Sequence, residues 1–102
     1  MDRFTFSRDE DGNLKATDAV KRAVGVELER SPGLMPRSIV HAAQDELVRK
    51  AKVLQFTSGK SYEACANHLM EQDPWLRVAT AHMAEDSIAL KLGIDIVDGD
   101  GQ

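Results

Sequence analysis

The feature that most constrains the fold of this chain is a run of apolar residues at helical spacing between positions 36 and 57. Apolar side chains recur there every three or four residues, at Ile39, Val40, Ala43, Leu47, Ala51 and Leu54. This period places them on one face of an α-helix, and such a face is buried against other elements. Pro36 suits the first helical position, and Ser58-Gly59 supplies a left-handed C-cap. We therefore expect a long helix that lines the core and ends near Thr57.

Capping residues predict two further helices. The first should have Thr17 as its N-cap and run to about Arg30. Gly25 lies in its middle and lowers helix propensity by about 1 kcal/mol relative to Ala, which indicates either a close helix crossing or a weakly held helix. The sequence alone favours the weakly held helix. The other helix is short, begins after Ser61 and ends before Asp73-Pro74.

The Asp73-Pro74 pair also predicts the start of a fourth helix, which Gly93 should end, so that this helix spans residues 75–92. At about 100° per residue its apolar side chains form two arcs. The first arc, which can cover the core, contains Leu76, Ala79, Met83 and Leu90. The second contains Val78, Ala81, Ile88 and Leu92.

An apolar arc left in water marks an interface, so we expect a homo-oligomer, a dimer, through the second arc. The alternative is that the first helix or the Phe4–Phe6 segment covers it.

The two ends of the sequence are predicted to lie outside the helical domain. Phe4 and Phe6 flank Thr5, and Asp11-Gly12-Asn13 has the composition of a turn, but an isolated hairpin is marginal in water. We expect residues 1–16 to form a flexible or hairpin-like arm, with packing of Phe4 and Phe6 onto the helices as the alternative. Residues 94–102 are polar and rich in glycine, which predicts a flexible tail. The predicted fold class is all-α, a bundle of about four helices in residues 17–93.

Length and charge limit the function. A chain of 102 residues has room for one domain. A net charge of −4 argues against a protein that neutralises phosphates, and it disfavours nucleic acid and other acidic partners. The single cysteine cannot form an internal disulfide, and no apolar run has the length of a signal peptide or a membrane span. We expect a protein of the cytoplasm, or of a particle assembled there, with no membrane partner.

No motif indicates an enzyme, a cofactor or a metal. Cys65 and His68 lie one helical turn apart, but a structural zinc site needs four ligands, commonly in two close pairs. The remaining histidines, His41 and His82, are distant in sequence. Residues 58–61, Ser-Gly-Lys-Ser, match the end of a phosphate-binding P-loop without its earlier glycine or its preceding strand. We therefore expect no catalytic, cofactor-binding or metal-binding residues.

The third and fourth predicted helices could form a helix-turn-helix, and a DNA-binding regulator is one alternative function. The second helix of such a pair normally offers basic groups, whereas this one has Arg77 followed by Glu85 and Asp86. Residues 37–60 contain five basic and two acidic residues, which a solvated helix face explains without a function. A small acidic inhibitor or regulator of a host nucleic-acid-binding complex, such as an anti-defence protein, is the other alternative.

Residues 55–77 resemble a segment of a known protein family. Gly59, Ser61 and Tyr62 form a turn and cap, a short helix follows, and Pro74 and Leu76 begin the next one. This order resembles the C-terminal helical hairpin of Mu-like phage head-morphogenesis proteins, which include prohead proteases and scaffold polypeptides. The chain has no room for a protease domain, and its predicted fourth helix continues past the proline. The resemblance implies a phage or prophage origin and a role in assembly by helical contacts. The function that we expect is a non-enzymatic protein-interaction module, an assembly or accessory protein of phage type, which acts through a helical surface that includes the second arc of the fourth helix.

Overall fold

The long helix predicted from the apolar stripe is the central element of the structure, a computed structural model that describes residues 4–30, 33–84 and 93–97. The elements are β1 (Phe4–Arg8), β2 (Leu14–Lys15), α1 (Asp18–Arg30), β3 (Met35–Pro36), α2 (Arg37–Ser58), α3 (Tyr62–Gln72), α4 (Pro74–Arg77), a 3₁₀ turn (Val78–Thr80), β4 (Met83–Ala84) and β5 (Ile94–Val97). The fold is mostly helical, as predicted, but it is not all-α because short strands accompany the helices.

The predicted starts of α1 and α3 and the predicted end of α2 are confirmed by their caps. The Thr17 hydroxyl oxygen accepts a hydrogen bond from the backbone N–H of Val20 at 3.2 Å, and Ser61 caps α3 in the same way through the N–H of Ala64 at 3.1 Å. Gly59 ends α2 with a φ of 74°, a left-handed conformation that glycine adopts without strain. Pro36 lies one position earlier than predicted, at the N-cap.

The apolar stripe of α2 forms one wall of the core, as predicted. Ile39, Val40, Ala43, Leu47 and Ala51 are buried, and Leu54 is half-buried at the rim. The opposite wall is formed by α1, α3 and α4, with Val24, Leu28, Cys65, Trp75 and Leu76 buried. The core therefore lies between α2 and the three other helices, and it leaves the outer face of α2 in contact with solvent.

Gly25 marks a close crossing of α1 with the chain at the start of α4, so the expectation of a weakly held helix was wrong. A Cβ atom at this position would lie 2.5 Å from the backbone carbon and oxygen of Pro74 and 2.8 Å from the nitrogen of Trp75. Real Cβ atoms do not approach backbone this closely, so only glycine fits here. The α1 helix is continuous through Gly25, and Gly25 is buried.

Residues 4–15 form an ordered hairpin, one of the two forms expected for this segment, and the flexible form is not observed. Strand β1 pairs antiparallel with β2 and parallel with β5, giving the order β2-β1-β5. Phe6 is 0% exposed and its ring lies 5.8 Å from that of Trp75. A two-stranded hairpin alone is marginal, but a third strand and an apolar face stabilise it. Packing of Phe6 onto the helices, the alternative left open by the sequence, is the observed arrangement.

The flexible tail predicted from residue 94 was also placed too early. Residues 94–97 form β5, and Ile94 is buried in the core beside β1. Ile96, two residues after Ile94 and therefore on the same face of the strand, is half-buried against the core. Residues 98–102 lie outside the described residues.

The fourth helix is much shorter than the predicted span of 75–92. Asp73 caps it as expected, accepting from the N–H of Trp75 at 3.0 Å, but α4 ends at Arg77 and the 3₁₀ turn ends at Thr80. Ala81 has extended backbone angles, φ −70° and ψ 154°. Strand β4 then pairs in parallel with β3, Met83 beside Met35. Pairing with a distant segment overrides local helical periodicity here, and residues 85–92 lie outside the described residues.

Candidate protein-interaction surface

The interface predicted on the fourth helix is not assembled within the described part of the chain. Val78 is 0% exposed and belongs to the core, and Ala81 is half-buried in extended backbone. Ile88 and Leu92 lie outside the described residues. The predicted arc therefore has no helical continuity from Val78 through Ala81, and Val78 is unavailable to a second subunit. The dimer itself stays a prediction, without support from these two residues.

Cys65 and His68 both lie on α3, whereas His41 lies on α2 and His82 precedes β4. Cys65 is buried, with its sulfur 3.7 Å from the hydroxyl oxygen of Ser58, whereas His41, His68 and His82 are exposed. Within the ranges that the structure describes, no three His, Cys, Asp or Glu side chains come close enough to hold a metal ion. The α3–α4 pair offers a second helix of only four residues, with Trp75 and Leu76 buried. This helix is too short to lie along a DNA groove as a recognition helix.

Phe56 is the most exposed large apolar side chain of the described residues. It is 91% exposed, and Val53, one helical turn earlier on α2, is 65% exposed. Phe56 follows Leu47 by two and a half turns, which places it on the face opposite the core. Burial of a phenylalanine side chain contributes roughly 1.5–3 kcal/mol, so leaving one fully in water forgoes that gain. This side chain has no structural role in the isolated fold.

Basic residues surround Phe56. Lys52 and Arg49 lie four and seven positions before it, on the same side of the helix, and Lys60 follows the end of α2. Residues 49–60 contain four basic and no acidic residues, although the net charge of the whole chain is −4. We call Arg49, Lys52, Val53, Phe56 and Lys60 the Phe56 surface.

An open groove of about 500 Å³ borders the Phe56 surface and shares Val53 and Arg49 with it. Its apolar lining comes from Val53, Leu54 and Leu69, where α2 packs against α3. Charged and polar lining is contributed by Lys21, Glu46, Arg49, Lys50 and Thr57. Val53 lines the groove and lies one helical turn before Phe56, so the apolar lining of the groove continues onto the Phe56 surface, which carries the basic residues.

Glu46 organises one end of this groove. Its carboxylate accepts hydrogen bonds from Lys21 Nζ at 2.8 Å and Trp75 Nε1 at 3.1 Å, and it forms an ion pair with Lys50 at 3.0 Å. Burial alone would raise the pKa of Glu46, but the hydrogen bonds from Lys21, Lys50 and Trp75, with the charge of Lys21, outweigh it and lower the pKa to about 2. One carboxylate thereby joins α1, α2 and α4, and two cations share its single negative charge.

A second, larger groove of about 830 Å³ lies between the hairpin and the first half of α2. Charged side chains of both signs line it, including Lys15, Asp9, Asp45 and Arg49. Asp9 is engaged in the hairpin itself, where its carboxylate accepts from the N–H of Asn13 and pairs with Lys15. Because its charges have both signs, the lining does not favour one class of ligand, and we consider this groove the weaker candidate for a binding site.

The sequence missed the Phe56 surface because Phe56 lies outside the apolar stripe that identified α2. Arg49 and Lys52, two of the basic residues that the sequence assigned to a solvated helix face, are both exposed. The available signal was an aromatic residue on the basic face of an amphipathic helix, where solvation alone would favour a polar side chain.

None of the helices in the described ranges has the length and apolar character that a membrane crossing requires. Comparison of the chain with protein families, with curated proteins and with solved structures found no significant match.

Proposed function

We propose that this protein is a non-enzymatic protein-interaction module and that its contact surface is the Phe56 surface with the adjoining groove. The observation that carries the proposal is the 91% exposure of Phe56 beside an exposed Val53. Buried aromatic side chains are the commonest anchors of protein interfaces, and basic residues at the rim select and steer the partner. The structural role of α2 is met by its other face, which leaves this face available for binding.

The process that we propose for the module is assembly of a phage or prophage particle. The support is the resemblance of residues 55–77 to the helical hairpin of Mu-like head-morphogenesis proteins, a segment that includes Phe56. In the structure these residues comprise the end of α2, the whole of α3 and α4. An assembly role requires binding between helical surfaces and no catalysed reaction.

Site-specific photo-cross-linking tests the interaction surface. A photoreactive phenylalanine analogue replaces Phe56 in the full chain, and the matched control carries it at His68, an exposed position on α3. In the native host we expect a discrete protein adduct from position 56, absent from position 68 and lost when Val53→Ser is added. Equal labelling at both positions, or none at position 56, would show that the Phe56 surface is not an interface. An adduct of twice the chain mass would identify a second copy of the chain as the occupant.

A further inference from the structure

We infer that the occupant of the Phe56 surface is an acidic amphipathic helix of a second protein. The inference rests on the proposed interaction function and specifies the chemistry of its partner. Its support is the combination of an apolar groove, two protruding apolar side chains and a border of cations on one helix.

The groove fits the apolar stripe of a helix. The α2 residues that line it extend from Glu46 to Thr57, which spans about 16 Å at the rise of an α-helix. A partner helix of about three turns covers that length and presents anchor side chains at positions i, i+3 or i+4, and i+7. Val53, Leu54 and Leu69 line the groove, so leucine-sized side chains from the partner replace water there. Phe56 then packs against the outer side of the partner helix.

The charge of the border selects an acidic partner. Arg49, Lys50, Lys52 and Lys60 are exposed, and residues 49–60 contain no carboxylate. Among the described residues, Lys52 and Lys60 make no ion pair, so their charges are available to carboxylates of the partner. The net charge of the whole chain disfavoured acidic partners, but it is a sum over the surface. Residues 37–60 have a net charge of +3, which leaves −7 on the rest.

The same charge distribution weighs against other occupants. A second copy of the chain, docked symmetrically through this surface, would place its cations against cations, which is repulsive. A nucleic acid would find cations and a stacking side chain in Phe56, but its phosphates do not fill an apolar groove. Its charge also extends beyond the basic surface onto the acidic rest of the chain, which a helix of about three turns does not reach. An anionic membrane is likewise wider than the basic surface and meets the acidic rest of the chain.

Fluorescence anisotropy with designed peptides tests the inference on the full-length chain. The first peptide is a labelled helix of about 18 residues, or five turns, with a leucine stripe and glutamates on its flanks. The second keeps the leucines and replaces the glutamates by lysines, and the third keeps the glutamates and replaces the leucines by serines. We expect the first peptide to bind at least about tenfold tighter than either of the others, which corresponds to one decade in Kd.

Protein variants provide the matched controls. Phe56→Ser should weaken binding of the acidic leucine peptide by about tenfold or more, whereas His68→Ala should leave it unchanged. Lys52→Glu should weaken the acidic peptide and strengthen the lysine peptide, because reversing a border charge reverses the preference. Rescue by the lysine peptide shows that the Lys52 variant is folded.

Several results would overturn the inference. These are equal affinity for the acidic and lysine peptides, an unchanged affinity in Phe56→Ser, or tighter binding of a mixed-sequence single-stranded DNA or of phosphatidylserine vesicles. The photo-cross-link at position 56 separates this failure from failure of the proposed function. A protein adduct at position 56 without any preference for the acidic peptide would reject the acidic partner but would still support the interaction function. If neither the adduct nor the preference for the acidic peptide were observed, the proposed interaction function would be rejected as well.

Discussion

At the residue scale, the effect of Gly25 on stability is the opposite of the one that helix propensity predicts. Helix propensity alone predicts that Gly25→Ala stabilises α1 by about 1 kcal/mol. In the structure the added Cβ would lie 2.5 Å from the backbone of Pro74, so α4 has to move. We expect a net loss of about 1–3 kcal/mol in the free energy of unfolding, measured by urea denaturation. Val26→Ala, at a position that is 42% exposed, should change it by less than about 0.5 kcal/mol. A Gly25→Ala protein as stable as the native one would contradict the close crossing.

Glu46 supplies a prediction about pH. Its pKa is lowered from 4.5 to about 2 in the folded protein, so the folded state binds fewer protons than the unfolded state between these values. The contribution of Glu46 to stability is therefore present above about pH 4.5 and is lost as the pH falls toward 2. Glu46→Gln should destabilise the fold at pH 7 by about 1–3 kcal/mol, since hydrogen bonds to a charged group are lost.

The same variant should show a weaker fall of stability between pH 4.5 and 2 than the native protein, measured by thermal unfolding across that range. The matched control is Asp45→Asn, because Asp45 is the preceding residue and is exposed. If both variants showed the native pH dependence, the Lys21–Glu46–Trp75 cluster would not be a determinant of stability.

At the element scale, the two faces of α2 should respond in opposite ways to substitution. Leu47→Ala leaves a cavity at the centre of the buried stripe and should lower the free energy of unfolding by about 2–4 kcal/mol. Phe56→Ser removes a larger side chain but should change stability by less than about 0.5 kcal/mol, because Phe56 has no core contact to lose. Denaturant midpoints of both variants check this contrast. Equal destabilisation would place Phe56 in the core.

The elements that the sequence predicted are those whose signals are local. Thr17, Ser61 and Gly59 mark helix ends through contacts within four residues, and the stripe of α2 repeats within each turn. The prediction of one continuous helix over residues 75–92 failed because Met83 pairs with Met35, a partner that periodicity cannot reveal. The Phe56 surface was missed for a related reason, since the stripe identifies buried positions and an interface residue on the opposite face lies outside it.

At the scale of the whole molecule, the sheet and the helical core should unfold together because Phe6 joins them. Phe6→Ala removes a fully buried ring beside Trp75 and should lower the free energy of unfolding by about 3–5 kcal/mol. The chain has one tryptophan, so the emission of Trp75 reports the change directly. Thr5→Ala, at the neighbouring exposed position of β1, is the matched control. An unfolding midpoint of Phe6→Ala equal to that of the native protein would indicate that residues 4–15 form a flexible arm that does not stabilise the fold.

The parallel pairing of β1 with β5 also determines when the protein can finish folding. Phe4 lies beside Ile94, so almost all of the described chain must leave the ribosome before β1 meets its partner. The three long helices depend on contacts closer in sequence and can form earlier in translation. Until β5 arrives, Phe6 has only the hairpin and the helices to cover it, and β1 offers an open edge to neighbouring nascent chains. Closing so long a loop is slow, which makes sheet completion the step at which synthesis is most exposed to aggregation and to capture by chaperones.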